Sequence, residues 1–237
     1  MKLLPDVYQV AGPCLSHPFD GTAYLLPCDD GTLLMIDCGT QPGVEKIKGN
    51  IRALGFDPDK VVRIFATHGH YDHLSGAASF SAQLYIHKLD AEQVIQGDDV
   101  RTAASLLYGE KMPSLAVAGC LDDGDSFPVK AGQLRILHTP GHSPGSCCFV
   151  LEHKGGLKLL ITGDTLHGGF SPLIGSDENA WRVSLKRLQD EKPDCYTFGH
   201  CPPTLLFDAQ ERIRSLAQSF ANYYNPWFKD FYREYKY

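Results

Sequence analysis

Over the first third of the chain, apolar positions fall in short runs broken by polar and turn residues. This pattern predicts strands at 7–10, 22–26 and 32–37, with Asp29-Asp30-Gly31 as a turn between the last two. Past residue 41 the spacing changes to three and four. Val44, Ile47, Ile51 and Leu54 then mark one face of a helix, with Pro42 near its start and Gly55 closing it. A buried strand is expected at 61–66, a short strand at 84–87 and a helix at 88–96. Residues 97–125 have mixed periodicity and an acidic turn, Asp122-Asp123-Gly124-Asp125, and no element is predicted there. Strands return at 134–138, 146–152 and 157–162, followed by a helix at 178–189, a strand at 195–198 and a closing helix at 208–223. Strands and helices thus come twice, in two halves of similar size. That order predicts an α/β-type architecture in which helices cover sheets in layers.

Composition narrows the picture. At 237 residues and 43% hydrophobic the chain has enough apolar surface for a large core, which excludes intrinsic disorder. No apolar run approaches the roughly 18 residues of a membrane helix. Pro5 and Asp6 interrupt what would be the apolar part of a secretory signal after Met1-Lys2-Leu3-Leu4. A net charge of −6 without a basic block argues against a nucleic-acid partner. Eight cysteines without a Cys-x-x-Cys pair predict buried or half-buried free thiols in a reducing compartment. The expectation is a cytoplasmic protein that acts on a small molecule and binds neither nucleic acid nor membrane.

Chemistry enters with the histidines. Four candidate ligands crowd into six positions, His68-Gly69-His70-Tyr71-Asp72-His73, directly after the predicted strand 61–66. His68 and His70, two apart, can project to one side, while Asp72 and His73 lie past a Gly-containing bend. Imidazole and carboxylate suit Zn²⁺, Mn²⁺ or Fe²⁺. Three more residues of this type end apolar runs: His142 in Thr139-Pro140-Gly141-His142, Asp164 after Ile161-Thr162-Gly163, and His200 after Phe198-Gly199. Functional side chains concentrate on such loops, held by the scaffold. Seven non-sulfur donors are too many for one closed structural zinc site. A serine nucleophile is not expected.

Taken together, these residues resemble the metallo-β-lactamase superfamily across roughly residues 7–205. The resemblance implies a four-layer αβ/βα sandwich, with a catalytic domain at 1–205 and a helical, aromatic-rich extension of it at 206–237. It implies two divalent ions, zinc foremost, with iron or manganese as alternatives. One would take His68, His70 and His142, the other Asp72, His73 and His200, with Asp164 bridging and Asp37 supporting from behind. The implied activity is hydrolysis of an ester, thioester or lactone by a hydroxide shared between the ions, with Asp72 orienting it and accepting its proton. Alternative readings are a mononuclear iron dioxygenase of the persulfide type, glyoxalase II itself, or a zinc β-lactamase of the all-His/Asp type. Asp164 stands where the cysteine-type β-lactamases carry Cys. The Gly-Cys-Gly-Arg element typical of glyoxalase II and the dioxygenases after Gly-Asp is replaced here by Thr165-Leu166-His167-Gly168. His17 and His167 are further candidates near the site, and Cys201 reads as inert or supporting. Nine of the 25 aromatics fall within 220–237. They predict packing onto the domain, a homodimer interface or a pocket wall.

Overall fold

Two sheets stack face to face, and each carries helices on its outer side. The structure is a computed structural model describing residues 1–219. The first sheet runs in chain order through β1 (Lys2–Leu4), β2 (Val7–Gln9), β3 (Tyr24–Pro27), β4 (Leu33–Ile36), β5 (Val61–Phe65), β6 (Gln83–Ile86) and β7 (Val117–Cys120). Its first four strands are antiparallel and β4 to β7 are parallel. The second sheet has the order β12 (Cys195–Thr197), β11 (Lys158–Ile161), β10 (Cys147–His153), β9 (Gly132–His138), β8 (Ser126–Val129). Only its β11–β12 pair is parallel.

Three apolar clusters separate the layers. Between the sheets, Tyr24, Leu26, Leu34, Ile36 and Phe65 meet Ile136, Phe149, Leu151 and Ile161. The other face of the first sheet offers Leu25, Met35, Ile64 and Ile86 to Val44, Ile47 and Ile51 of α1 (Val44–Ala53) and Val94 of α3 (Lys88–Gln96). Behind the second sheet, Leu137, Cys148, Val150 and Leu160 pack on Trp181, Leu185 and Leu188 of α4 (Glu178–Glu191) and on Ile213 and Leu216 of α5 (Ala209–Ser219). This is the four-layer αβ/βα sandwich that the resemblance implied.

The expected strands and helices recur, mostly with bounds shifted by one or two residues. Gly55 closes α1 in a left-handed conformation (φ +86°), as expected of a helix-ending glycine. Three strands were missed. β1 is short and lies at an edge, β7 falls in the stretch with mixed periodicity, and β8 carries a proline. The closing helix is described only to Ser219. The nine-aromatic segment, with its proposed dimer or pocket role, lies outside the described residues. All eight cysteines are free, yet Cys14 and Cys120 are exposed, which corrects the expectation of uniformly buried or half-buried thiols. Among the described residues no helix is long and apolar enough to cross a membrane.

Candidate metal centre

The seven candidate ligands leave the sheets at one edge. β5 ends into the His68–His73 segment, where His70 precedes the one-turn helix α2 (Tyr71–Leu74) in extended conformation. The β9–β10 connection supplies His142. The parallel strands β11 and β12 end side by side and deliver Asp164 and His200. Loops at the carboxyl ends of parallel strands are where α/β sheets build their sites. All seven residues are buried except His200, which is about one quarter exposed at the rim.

Three sets of ligand atoms lie close enough to hold an ion: His68/His70/His142, His68/His73/Asp164 and Asp72/His73/His200. His142 Nε2 is 3.0 Å from His70 Nδ1, and His200 Nε2 is 3.0 Å from Asp72 Oδ2. Asp164 stands between the groups, at 3.4 Å from both His73 Nε2 and His200 Nε2 and 3.7 Å from His142 Nε2.

Hydrogen bonds behind the rings fix which nitrogen faces inward. Asp37, at the end of β4, sits in left-handed conformation (φ +56°), a strained geometry for a residue with a side chain. Its carboxylate accepts from the Thr67 backbone N–H (2.8 Å), the Thr67 hydroxyl (2.8 Å) and His73 Nδ1 (2.8 Å). Because Thr67 gives its one hydroxyl proton to Asp37, His68 Nδ1–H donates to Thr67 Oγ1 at 2.9 Å. His142 Nδ1 donates to the Gly169 carbonyl at 2.7 Å. His68, His73 and His142 therefore each turn Nε2 into the cluster. Of these, His68 Nε2 and His73 Nε2 are buried without a hydrogen-bond partner, as are His70 Nε2 and Asp164 Oδ1. Buried polar atoms normally find partners, so converging orphans of this kind fit a missing cation.

Glycines let the backbone come this close. A Cβ at Gly199 would run into the Asp164 carboxylate, and one at Gly21 would fall 2.7 Å from the His73 ring.

Electrostatics divides the set in two. Burial, reinforced by the neighbouring rings, holds His68 well below the usual histidine range, and burial with His142 pushes His70 down to about 3. Those rings are neutral donors at neutral pH. Burial opposes ionisation of the carboxylates, but His73 and His200 outweigh it: Asp72 is lowered to about 2 and Asp164 well below its ordinary value. Burial opposes the charged form at His73 and His200 too, but Asp72, Asp37 and Asp164 hold His73 well above its usual range. Asp164 with Asp72 likewise pushes His200 up to about 10. A divalent ion bound there would displace those protons. A cluster with two anionic carboxylates and inward ring nitrogens is a donor set for divalent ions.

The remaining sequence candidates are His167, His17 and Cys201. His167 is half-buried against the Phe198 ring at 5.0 Å. His17 packs on Phe19 at 5.5 Å. The Cys201 thiol rests against the Phe198 carbonyl (3.3 Å) and Thr22 (3.8 Å), and burial raises its pKa, so it stays a thiol.

Sequence reasoning overlooked two features. Gly141-His142-Ser143-Pro144-Gly145 does have the Gly-x-Ser-x-Gly spacing of a serine nucleophile. Here, though, it joins two strands instead of a strand to a helix, and the Ser143 hydroxyl is committed to Asp90 at 2.6 Å. Asp90, fully buried on α3, is the second. Its Oδ2 accepts from Ser143 and from the Gly69 N–H (2.9 Å), and its Oδ1 accepts from the Gly145 N–H (2.7 Å). One carboxylate thereby clasps the loop carrying His68 and His70 to the loop carrying His142. Asp90→Ala is expected to leave two buried N–H groups unpaired and to cost about 3 kcal/mol of stability. Metal affinity should fall by a further ten- to hundredfold, the range for outer-layer partners. Urea unfolding and zinc titration of wild type, Asp90→Ala and Asp90→Asn check this. Unchanged zinc affinity in a folded Asp90→Ala protein would contradict the clasp.

Residues 17–200 match the sequence profile of the metallo-beta-lactamase superfamily. An uncharacterized protein of Aquifex aeolicus is 32% identical, covering 77% of this chain and 83% of its own. The acyl-coenzyme A thioesterase MBLAC2 of Gallus gallus and an N-acyl homoserine lactonase of Bacillus thuringiensis are each 28% identical. Each alignment covers 66% of this chain but only 62% of the relative's length. Among solved structures, the native FEZ-1 metallo-beta-lactamase from Legionella gormanii aligns with a TM-score of 0.73 over 91% of each chain, at 19% identity, a likeness of fold. Fold and donor cluster together define a metal-binding hydrolase. The chain belongs to the metallo-beta-lactamase superfamily.

Proposed function

We propose that the protein hydrolyses a carboxylic ester, thioester or lactone, with two divalent ions, zinc foremost, held at this centre. The observation that carries the reading is the convergence of unpaired inward ring nitrogens on two anionic carboxylates. Relatives named as a thioesterase and a lactonase support the choice of acyl substrate. His68, His70 and His142 would hold one ion, Asp72, His73 and His200 the other, and Asp164 would stand between them. Two ions in such a site polarise the substrate carbonyl and lower the pKa of water.

The chain's own groups do the rest. Asp37 keeps His73 in the tautomer with Nε2 free, and Gly169 does the same for His142. Asp72 is ionised and beside His200, so it can accept a hydrogen bond from the attacking water and orient it. His200, at the rim, is the most exposed of the cluster's five histidines.

The test is a substrate panel on the zinc-loaded protein: an acyl-coenzyme A thioester, a p-nitrophenyl ester, an N-acyl homoserine lactone and a cephalosporin. Chelator-sensitive, zinc-restored cleavage of one or more of the first three is the expected result. Cleavage confined to the β-lactam, or none, would overturn the proposal.

A further inference from the structure

A row of aromatic rings leads from the metal centre to the surface. Tyr71, between His70 and Asp72 in the chain, lies 5.4 Å from Tyr108. Tyr108 lies 5.4 Å from Phe19, which in turn lies 5.5 Å from His17. The inner end is polar, with the Asp72 carboxylate neighbouring Tyr108. The outer end is bare hydrocarbon, with Phe19 51% exposed and Leu106 and Leu107, on the same turn as Tyr108, 38% and 46% exposed.

That turn is an unusual piece of backbone. Residues 104–108 form a single π-helical turn, bracketed by left-handed Ala103 (φ +60°) and Gly109 (φ +66°). Asp99 pins it from below, through its carbonyl to Ser105 Oγ and its carboxylate to the Met112 N–H, and the Thr102 carbonyl accepts the Tyr71 N–H. Isolated π turns and strained non-glycine residues mark functional positions, because nothing in a plain connection would retain their cost. Here the strain presents Tyr108 to Asp72 and leaves two leucines facing water.

We infer that this row is the acyl-binding wall of the enzyme, and that Phe19 and Tyr108 set its preference for a long, uncharged acyl chain. The inference rests on the acyl-hydrolase reading above and adds the substrate class. A carbonyl held at the metal centre would place the acyl group beside Tyr108, with the buried Tyr71 ring behind it, and its tail over the exposed carbons of Phe19 and Leu107. The exposed part of the row, Phe19 with Leu106 and Leu107, is uncharged, while Glu110 and Lys111 line the surface beside Tyr71.

The test is kcat/KM for p-nitrophenyl acetate, butanoate, hexanoate and octanoate on the zinc-loaded protein. Calorimetric titration of the same protein with butanoate and octanoate gives a reading independent of turnover. Each methylene laid on a half-open wall should raise the wild-type value roughly twofold, so octanoate should exceed butanoate by at least about tenfold in both assays. Phe19→Ala and Tyr108→Ala should each cut that ratio at least threefold. Tyr108→Phe, which keeps the ring, should retain it. A ratio unaffected by Phe19→Ala and Tyr108→Ala would overturn the inference and leave the hydrolase reading standing. Should no ester be cleaved, that reading falls, and the octanoate titrations still decide whether the wall binds an acyl chain.

Discussion

Replacing His70 with alanine is expected to lower kcat/KM for the best acyl substrate by at least about a thousandfold, about 4 kcal/mol of transition-state stabilisation. His70 Nδ1 faces His142 Nε2 at 3.0 Å, and the two join His68 in one of the three donor sets. Removing it takes one donor from a three-histidine set, beyond the ten- to hundredfold typical of an outer-layer partner. Its ring belongs to none of the three apolar clusters that hold the layers together. The fold should therefore survive, and circular dichroism with a thermal melt checks that it has. A folded His70→Ala protein turning over at the wild-type rate in saturating zinc would contradict the proposed ligation.

Asp164→Asn should act differently, because it preserves shape and removes charge. The carboxylate lies 3.4 Å from His73 Nε2 and His200 Nε2 and 3.7 Å from His142 Nε2, and so faces both halves of the cluster. A carboxylate in that position would offset the charge of ions held on either side of it, so the variant should lose zinc affinity and rate together. We expect a fall of about a hundredfold in kcat, about 2.7 kcal/mol. Gly199 keeps no room for a bulkier replacement to reach the same place, so Asp164→Glu should not rescue. If zinc content stayed at the wild-type level and the rate fell less than tenfold, the bridging role would be wrong.

The centre was legible in sequence because four of its seven residues are neighbours. His68, His70, Asp72 and His73 leave one strand end together, and the other three each terminate an apolar run. The layered fold was legible from element order, but not which face of each strand meets which layer. In β10 the first five residues, Cys147 to Leu151, are all buried, alternately toward the other sheet and toward α4 and α5. A strand buried on both faces shows no polar alternation to read. The clasp by Asp90 was illegible for another reason: its partners lie 21 to 55 residues away, and on its helix it looks like any acidic first-turn residue. Tyr108 was hidden because its π turn depends on Ala103 adopting a left-handed conformation, which no local rule assigns to alanine.

The metal content of protein purified without added metal, measured alongside its thioester hydrolysis, tests the account most directly. About two zinc ions per chain, with activity lost to a chelator and regained only as the second equivalent is restored, is the predicted result. One iron per chain, oxygen consumption with a persulfide and no hydrolysis would contradict it.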